Sequence, residues 1–135
     1  MFQFTDGTFA EARKHCIRNH EVVTDGPWYD LCSCWFDNLH TRTLPSYSTE
    51  MTAAYFHRSV IKTQAAHPEA KVRLSQKQKR AAVMHLCGLK RGEIFAARGS
   101  RVTPGELCGT HSPRIYLSQV DIMMTRFARL RVAGG

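Results

Sequence analysis

The chain has 135 residues, of which 43% are hydrophobic and 22% charged, and its formal net charge is +8. This composition is typical of a globular protein and argues against intrinsic disorder. The length suits one domain with a real core, whereas two full domains would be cramped. The sequence contains no apolar run near the ~20 residues that span a bilayer, and its start lacks the basic and apolar segments of a signal peptide. With five cysteines, an odd number, we expect reduced thiols and a cytoplasmic location.

The charge is distributed unevenly along the chain. Residues 1–70 carry 6 Lys/Arg against 8 Asp/Glu, whereas residues 71–135 carry 13 against 3. The aromatic residues run the other way, because 10 of 13 precede residue 71. The sequence therefore predicts an aromatic-rich helical half, 1–70, that builds a core or a protein contact, and a basic helical half, 71–135, that attracts phosphate. We expect the two halves to form one compact domain.

Helical patterns dominate the first half. Thr8 and Glu11 have capping-box spacing, which predicts a helix from Thr8 to about Asn19. Pro27 suits the first turn of a second helix, in which apolar residues recur with a period near 3.6. The members of this stripe are Trp28, Leu31, Cys32, Trp35, Phe36 and Leu39. A third helix is predicted over residues 49–66, and its inward residues should be Met51, Ala54, Tyr55 and Ile61.

The second half repeats the helical pattern. Ser75 and Gln78 predict the start of a helix that reaches Cys87 and is closed by Gly88. A shorter helix should follow over residues 91–98, and Thr103-Pro104 signals a further helix start. The last helix is predicted from the helical spacing of Ile115 or Tyr116, Val120, Met123, Phe127 and Leu130. Strand patterns are sparse, so the predicted fold class is mostly α, a small single-domain helical bundle.

One segment of the basic half follows a recognisable pattern. It consists of Leu74-Ser75, Gln78, Gly88-Leu89, Glu93-Ile94-Phe95-Ala96 and Gly99. Residues 74–99 thereby resemble the helix-turn-helix shared by region 4 of bacterial sigma factors and LuxR-type regulators. The resemblance implies two packed helices, a tight turn and a third helix that reads the major groove. The chain departs from the pattern after the turn, because Pro104 cannot lie inside a helix and would have to begin the third one.

The predicted nucleic-acid contacts fall into two groups. Those that would bind phosphate and set the register are Lys77, Lys79, Arg80, Lys90 and Arg91. Those nearest the turn, which would address base edges or the groove, are Arg98, Arg101 and Thr103. The alternative for each of these residues is an ordinary solvated group on a helix surface.

Two cysteine clusters raise the question of zinc. Cys16 and His20 have the i, i+4 spacing of a chelating helix face, and Cys32 could join them. The second set is Cys87, Cys108 and His111, which we rank slightly ahead. Buried thiols are nevertheless the default for cysteine, so we expect no metal and no other cofactor.

The sequence predicts a binding protein and not an enzyme. It lacks a phosphate-cradling glycine loop, His-Glu-x-x-His and Gly-x-Ser-x-Gly. The leading hypothesis is a small transcriptional regulator of microbial or phage type that binds duplex DNA, with a possible homodimer through the last helix. The rival is an adaptor or inhibitor that acts on RNA polymerase or another nucleic-acid-processing complex. RNA binding is a third option, which the charge alone does not exclude.

Overall fold

The computed structural model describes residues 5–41, 43–66 and 72–133. The chain divides into two compact units, Met1–Ile61 and Lys62–Gly135. Six helices and one two-stranded sheet lie within the described ranges, and helices make up 64% of those residues. The predicted fold class, mostly α, is confirmed. The boundary predicted near residue 70 falls outside the described residues, and the union of the two halves in one domain stays a prediction.

None of the helices described here combines the length and the apolar character that crossing a membrane requires.

The first unit begins with a short helix and a β-hairpin. Helix α1 spans Asp6–Ala12, strand β1 His15–Arg18 and strand β2 Glu21–Thr24. The strands are antiparallel, and both residues of the turn between them have positive φ, as the tight turns of hairpins require. The helix predicted to reach Asn19 is therefore wrong, because β-branched residues after the helix favour strands. Thr5 caps α1 in place of Thr8, since its Oγ1 accepts the Thr8 N–H at 3.3 Å.

The second predicted helix is much shorter than expected. Helix α2 spans only Trp35–His40. Before it, Asp30 Oδ1 accepts the Cys32 N–H at 2.9 Å, and Ser33 Oγ donates to the Asp30 carbonyl at 2.7 Å. Such local bonds compete with helix formation. The apolar stripe consequently does not build a core, and Trp28 and Leu31 are 73% and 81% exposed.

Helix α3, Pro45–Ala66, completes the described part of this region. It begins earlier than predicted because proline is well suited to a first helical turn. Met51, Ala54 and Tyr55 are buried as predicted, whereas Ile61 is 47% exposed, so its predicted inward position is wrong.

Beyond the end of α3, three helices make up most of the described part of the second unit. They are α4, Leu74–Cys87, α5, Leu89–Ala97, and α6, Pro113–Ala133. Helix α4 packs against both α5 and α6, and Val83, Phe95 and Leu117 form the core between them. Gly88 separates α4 from α5 with a φ of 85°, a conformation that glycine adopts without steric cost.

The third helix predicted at Pro104 is absent from the described residues. The chain between α5 and α6, residues 98–112, contains turns and one isolated bridge that pairs Cys108 with His111. The next helix starts at Pro113, where proline suits the first helical turn. Pro104 is followed by Gly105 with a φ of 76°, which a right-handed helix cannot accommodate.

Four of the five cysteines are paired. Disulfides join Cys16 to Cys34 and Cys87 to Cys108, and only Cys32 carries a free thiol. The prediction of reduced thiols is therefore wrong for this structure. The fold brings together cysteines 18 and 21 residues apart, which their spacing in the sequence does not predict. The second disulfide ties residues 98–112 to the end of α4.

Candidate nucleic-acid interface

A groove with a volume of about 860 Å³ lies in the second unit. It is bordered by α6, by Lys79 of α4 and by residues 100–102. Its cationic lining residues are Lys79, Arg101, Arg114, Arg126 and Arg129. Asp121 is its acidic lining residue. This ratio of charges favours the binding of an anion.

Helix α6 supplies most of the positive charge. Arg114, Ser118, Ile122, Arg126 and Arg129 line the groove, and the steps between them are three or four residues, so they share one helix face. The groove face of α6 therefore carries arginines toward both ends, with Ser118 and Ile122 between them.

Most of this charge is not neutralised within the protein. Asp121 Oδ2 lies 3.0 Å from Lys79 Nζ, an ion pair that joins α6 to α4. Among the described residues, no carboxylate lies within ion-pair distance of the four groove arginines. Arginine is charged throughout the physiological pH range and presents five N–H donors. The groove thus holds four guanidinium groups whose charge is available to an external partner.

The titratable groups elsewhere in this unit do not change that balance. Burial lowers the pKa of the His85 imidazole, so this side chain adds no positive charge at neutral pH. Burial also raises the pKa of Tyr116 on α6, so its hydroxyl adds no negative charge. The field of the unit at neutral pH is therefore set by its lysines, arginines and few carboxylates.

Arg80, one of the predicted phosphate contacts, is not placed to bind phosphate. Only 3% of its surface is exposed, and its Nε donates to Ser100 Oγ at 3.1 Å. Its Nη1 is buried and has no hydrogen-bond partner among the described residues. Because Ser100 lines the groove, Arg80 supports the groove wall from inside.

Arg91, Arg98 and Thr103 also have internal roles. Arg91 donates to the Leu107 carbonyl and to Cys108 Sγ at 3.6 Å. Arg98 Nη1 donates to Thr103 Oγ1 at 3.0 Å and lies 3.6 Å from a carboxylate oxygen of Glu106. These contacts stabilise residues 98–112 against α5. Arg91, Arg98 and Thr103 line a second, smaller cavity of about 430 Å³ and do not line the cationic groove.

The structure therefore brings two of the eight predicted contacts, Lys79 and Arg101, into the groove. Lys77 on α4 is half-buried and Lys90 on α5 is exposed, and neither lines it. The predicted set omitted Arg114, Arg126 and Arg129. Their spacing along the last predicted helix was the available signal.

The zinc sets predicted from the sequence are not assembled in this structure. Cys87 and Cys108 are bonded to each other and cannot act as thiolate ligands in this form. Cys16 and His20 lie on a hairpin instead of one helix face. A different cluster exists in the described part of the first unit: ligand atoms of Cys16, Asp37 and Glu50 lie within 4.8 Å of one another.

Comparisons with protein-family models, curated proteins and solved structures yield no match to this chain. The functional proposal below depends on the geometry and charge of the groove.

Proposed function

We propose that the protein binds duplex DNA through the cationic groove of its second unit and acts as a small transcriptional regulator of microbial or phage type. The observation that carries this proposal is the set of four groove arginines that form no ion pair with any described carboxylate. Phosphate is the anion that arginine binds with bidentate geometry. Contacts to phosphate provide much of the affinity of DNA-binding proteins and position them on the duplex.

The sequence resemblance supports the same proposal. The helices α4 and α5 match the first two helices of the pattern in residues 74–99, including the glycine that joins them. In the proposed complex, α6 takes the place of the recognition helix, because it carries most of the groove arginines. Arg101 lies in the connection before α6, and Arg114 lies in the first turn of α6. These two groove arginines are the candidates for base-edge contacts.

The test is a titration of labelled duplex DNA with variants of equal charge change. Arg101→Glu and Arg126→Glu each reverse one groove charge, whereas Arg131→Glu reverses an exposed charge on α6 that does not line the groove. We expect the groove variants to weaken binding by about tenfold or more, because a hydrogen bond to a charged group contributes about 1.5 kcal/mol or more. Arg131→Glu should weaken it by only about twofold, through screened long-range repulsion. Equal losses for all three variants would show that the groove is not the interface.

A second candidate function is an adaptor or inhibitor that contacts RNA polymerase or another nucleic-acid-processing complex. The observation that favours it is the exposure of large apolar residues in the first unit. Trp28, Tyr29, Leu31 and Leu39 are 73%, 72%, 81% and 61% exposed. Exposed aromatic residues are typical of protein interfaces. Under this alternative, naked duplex would not bind measurably with either the unmodified chain or the groove variants.

The proposal includes a homodimer through α6. Tyr116, Val120, Met123, Phe127 and Leu130 alternate steps of four and three residues, the apolar repeat of a coiled coil. Phe127 and Leu130 are 64% and 67% exposed, so a second copy could cover them. A two-fold dimer would place two grooves on successive turns of a duplex.

A cytoplasmic location also belongs to the proposal. In that compartment thiols are kept reduced, so both disulfides would open to cysteine pairs that remain close in space.

A further inference from the structure

The two sulfurs of the Cys16–Cys34 disulfide lie beside two carboxylates of the first unit. Cys16 is on β1, Cys34 precedes α2, Asp37 is on α2 and Glu50 is on α3. The ligand atoms of Cys16, Asp37 and Glu50 lie within 4.8 Å of one another, and the disulfide holds the Cys34 sulfur against that of Cys16. Three groups that can bind a metal therefore converge from β1, α2 and α3, and the Cys34 sulfur, bonded to that of Cys16, lies next to them.

Asp37 provides an independent sign that this cluster lacks a ligand. Its side chain is 7% exposed, and its Oδ1 lies 2.9 Å from Arg18 Nη2. Its Oδ2 is buried and accepts no hydrogen bond from the described residues. Leaving a buried acceptor unsatisfied costs about 1–3 kcal/mol, and more when the group is charged. A cation bound at Oδ2 would remove this cost.

The local charge also favours a cation. Two carboxylates, Asp37 and Glu50, face one guanidinium, that of Arg18. Glu50 Oε1 accepts the Ile17 N–H at 2.8 Å, which holds this carboxylate next to β1. The hydrogen bond at Oε1 fixes the orientation of the whole Glu50 carboxylate, including its second oxygen. When the disulfide opens, two thiols join a site that already carries excess negative charge.

We propose that the reduced protein binds one zinc ion through Cys16, Cys34, Asp37 and Glu50. The disulfide first accepts two electrons and two protons from a dithiol, which is itself oxidised to a disulfide. Zinc then binds both sulfurs as thiolates, and the two thiol protons leave to solvent. The ion would link β1, α2 and α3 in place of the S–S bond.

The donor set selects the metal. Two sulfurs and two carboxylate oxygens suit the four-coordinate geometry of Zn²⁺, which accepts both ligand types. Mg²⁺ and Ca²⁺ prefer six or more oxygen ligands, so they would not compete well. This proposal is independent of DNA binding, since all four ligands lie in the first unit.

The test uses the full chain, reduced by a phosphine in the absence of oxygen. The phosphine is oxidised to its phosphine oxide, which takes its oxygen atom from one water molecule. Zinc is added, excess metal is removed by gel filtration, and bound zinc is measured by elemental analysis. We expect one zinc per reduced chain and none per oxidised chain. Asp37→Asn and Glu50→Gln should each lower the affinity by about tenfold or more, as loss of a ligand charge does. Glu21→Gln, an exposed carboxylate on β2, is the matched control and should bind as the unmodified chain.

Two further arms, and one outcome of the carboxylate variants, separate the alternatives. Cys87→Ser should keep the zinc, and loss of zinc in that variant would assign the metal to the other cysteine pair and overturn the proposal. Equal affinity of Asp37→Asn, Glu50→Gln and the unmodified chain would overturn it as well. Cobalt(II) added to the reduced, unmodified chain should give the absorption of a tetrahedral thiolate complex. Its absence would contradict the proposal even if the variants fail to fold.

Discussion

Arg80 and Arg101 show that charge in the sequence does not determine what a side chain contacts. Both belong to the basic half, and the sequence assigned both to nucleic acid. Arg80 is 3% exposed and bonded to Ser100, whereas Arg101 is exposed and lines the groove. Arg80 lies on the buried face of α4, whereas Arg101 lies in the connection between α5 and α6. Arginine is rarely fully buried, so charge alone does not predict a buried one on α4.

This difference leads to a prediction for Arg80→Met. The variant should change duplex affinity by less than about twofold, because the guanidinium does not reach solvent. Its free energy of unfolding should change by no more than about 1 kcal/mol, since an apolar side chain of similar length replaces a buried guanidinium whose Nη1 has no hydrogen-bond partner among the described residues. Fluorescence anisotropy and urea unfolding measure the two effects. Arg101→Met should do the opposite and weaken duplex binding about tenfold with little effect on stability. Loss of duplex binding in Arg80→Met but not in Arg101→Met would refute the internal role of Arg80.

At the scale of elements, the close packing of α4 on α5 depends on Gly92. A Cβ at this position would overlap Met84 Cγ and lie 3.2 Å from Met84 Cα. Both Gly92 and Met84 are buried. The contact therefore requires the absence of a side chain on α5.

We expect Gly92→Ala to destabilise the second unit by about 1–3 kcal/mol, because overpacking displaces a well-packed neighbour. Urea unfolding, followed by circular dichroism, measures the loss. Gly7→Ala on α1 is the control, since no atom lies within 4 Å of its would-be Cβ. The control should be neutral or stabilising by about 0.5–1 kcal/mol, the usual gain of alanine over glycine in a helix. A stabilised Gly92→Ala chain would contradict the described packing.

Helices α3, α4, α5 and α6 could be predicted from the sequence, whereas α1 and α2 were predicted too long and the hairpin between them was missed. Gly88 and the apolar period mark the helices of the second unit because local signals and tertiary packing agree there. Between Pro27 and Cys34, side-chain bonds from Asp30 and Ser33 override a strong helical period. The disulfides could not be predicted either, since pairing depends on distances that only the fold sets.

At the scale of the molecule, the segregation of charge predicted which half holds a cationic groove but not which residues line it. The half 71–135 carries 13 Lys/Arg against 3 Asp/Glu, and the groove lies within it. Several of those cations stabilise the protein internally, as Arg91 and Arg98 do. The proposed interface is accordingly formed by the cations that remain, most of them on α6.

The most direct test of this interface is the salt dependence of duplex binding. Each phosphate neutralised by a cation contributes about −0.9 to the slope of log K against log salt concentration. The groove has five cations, one of which, Lys79, is partly neutralised by Asp121. We therefore expect a slope of roughly −4 per chain. In Arg126→Glu the slope should become shallower by about 1, whereas Arg131→Glu should leave it unchanged. Affinity that stays flat between low and moderate salt, or a slope that Arg126→Glu does not alter, would contradict the cationic groove as the binding surface.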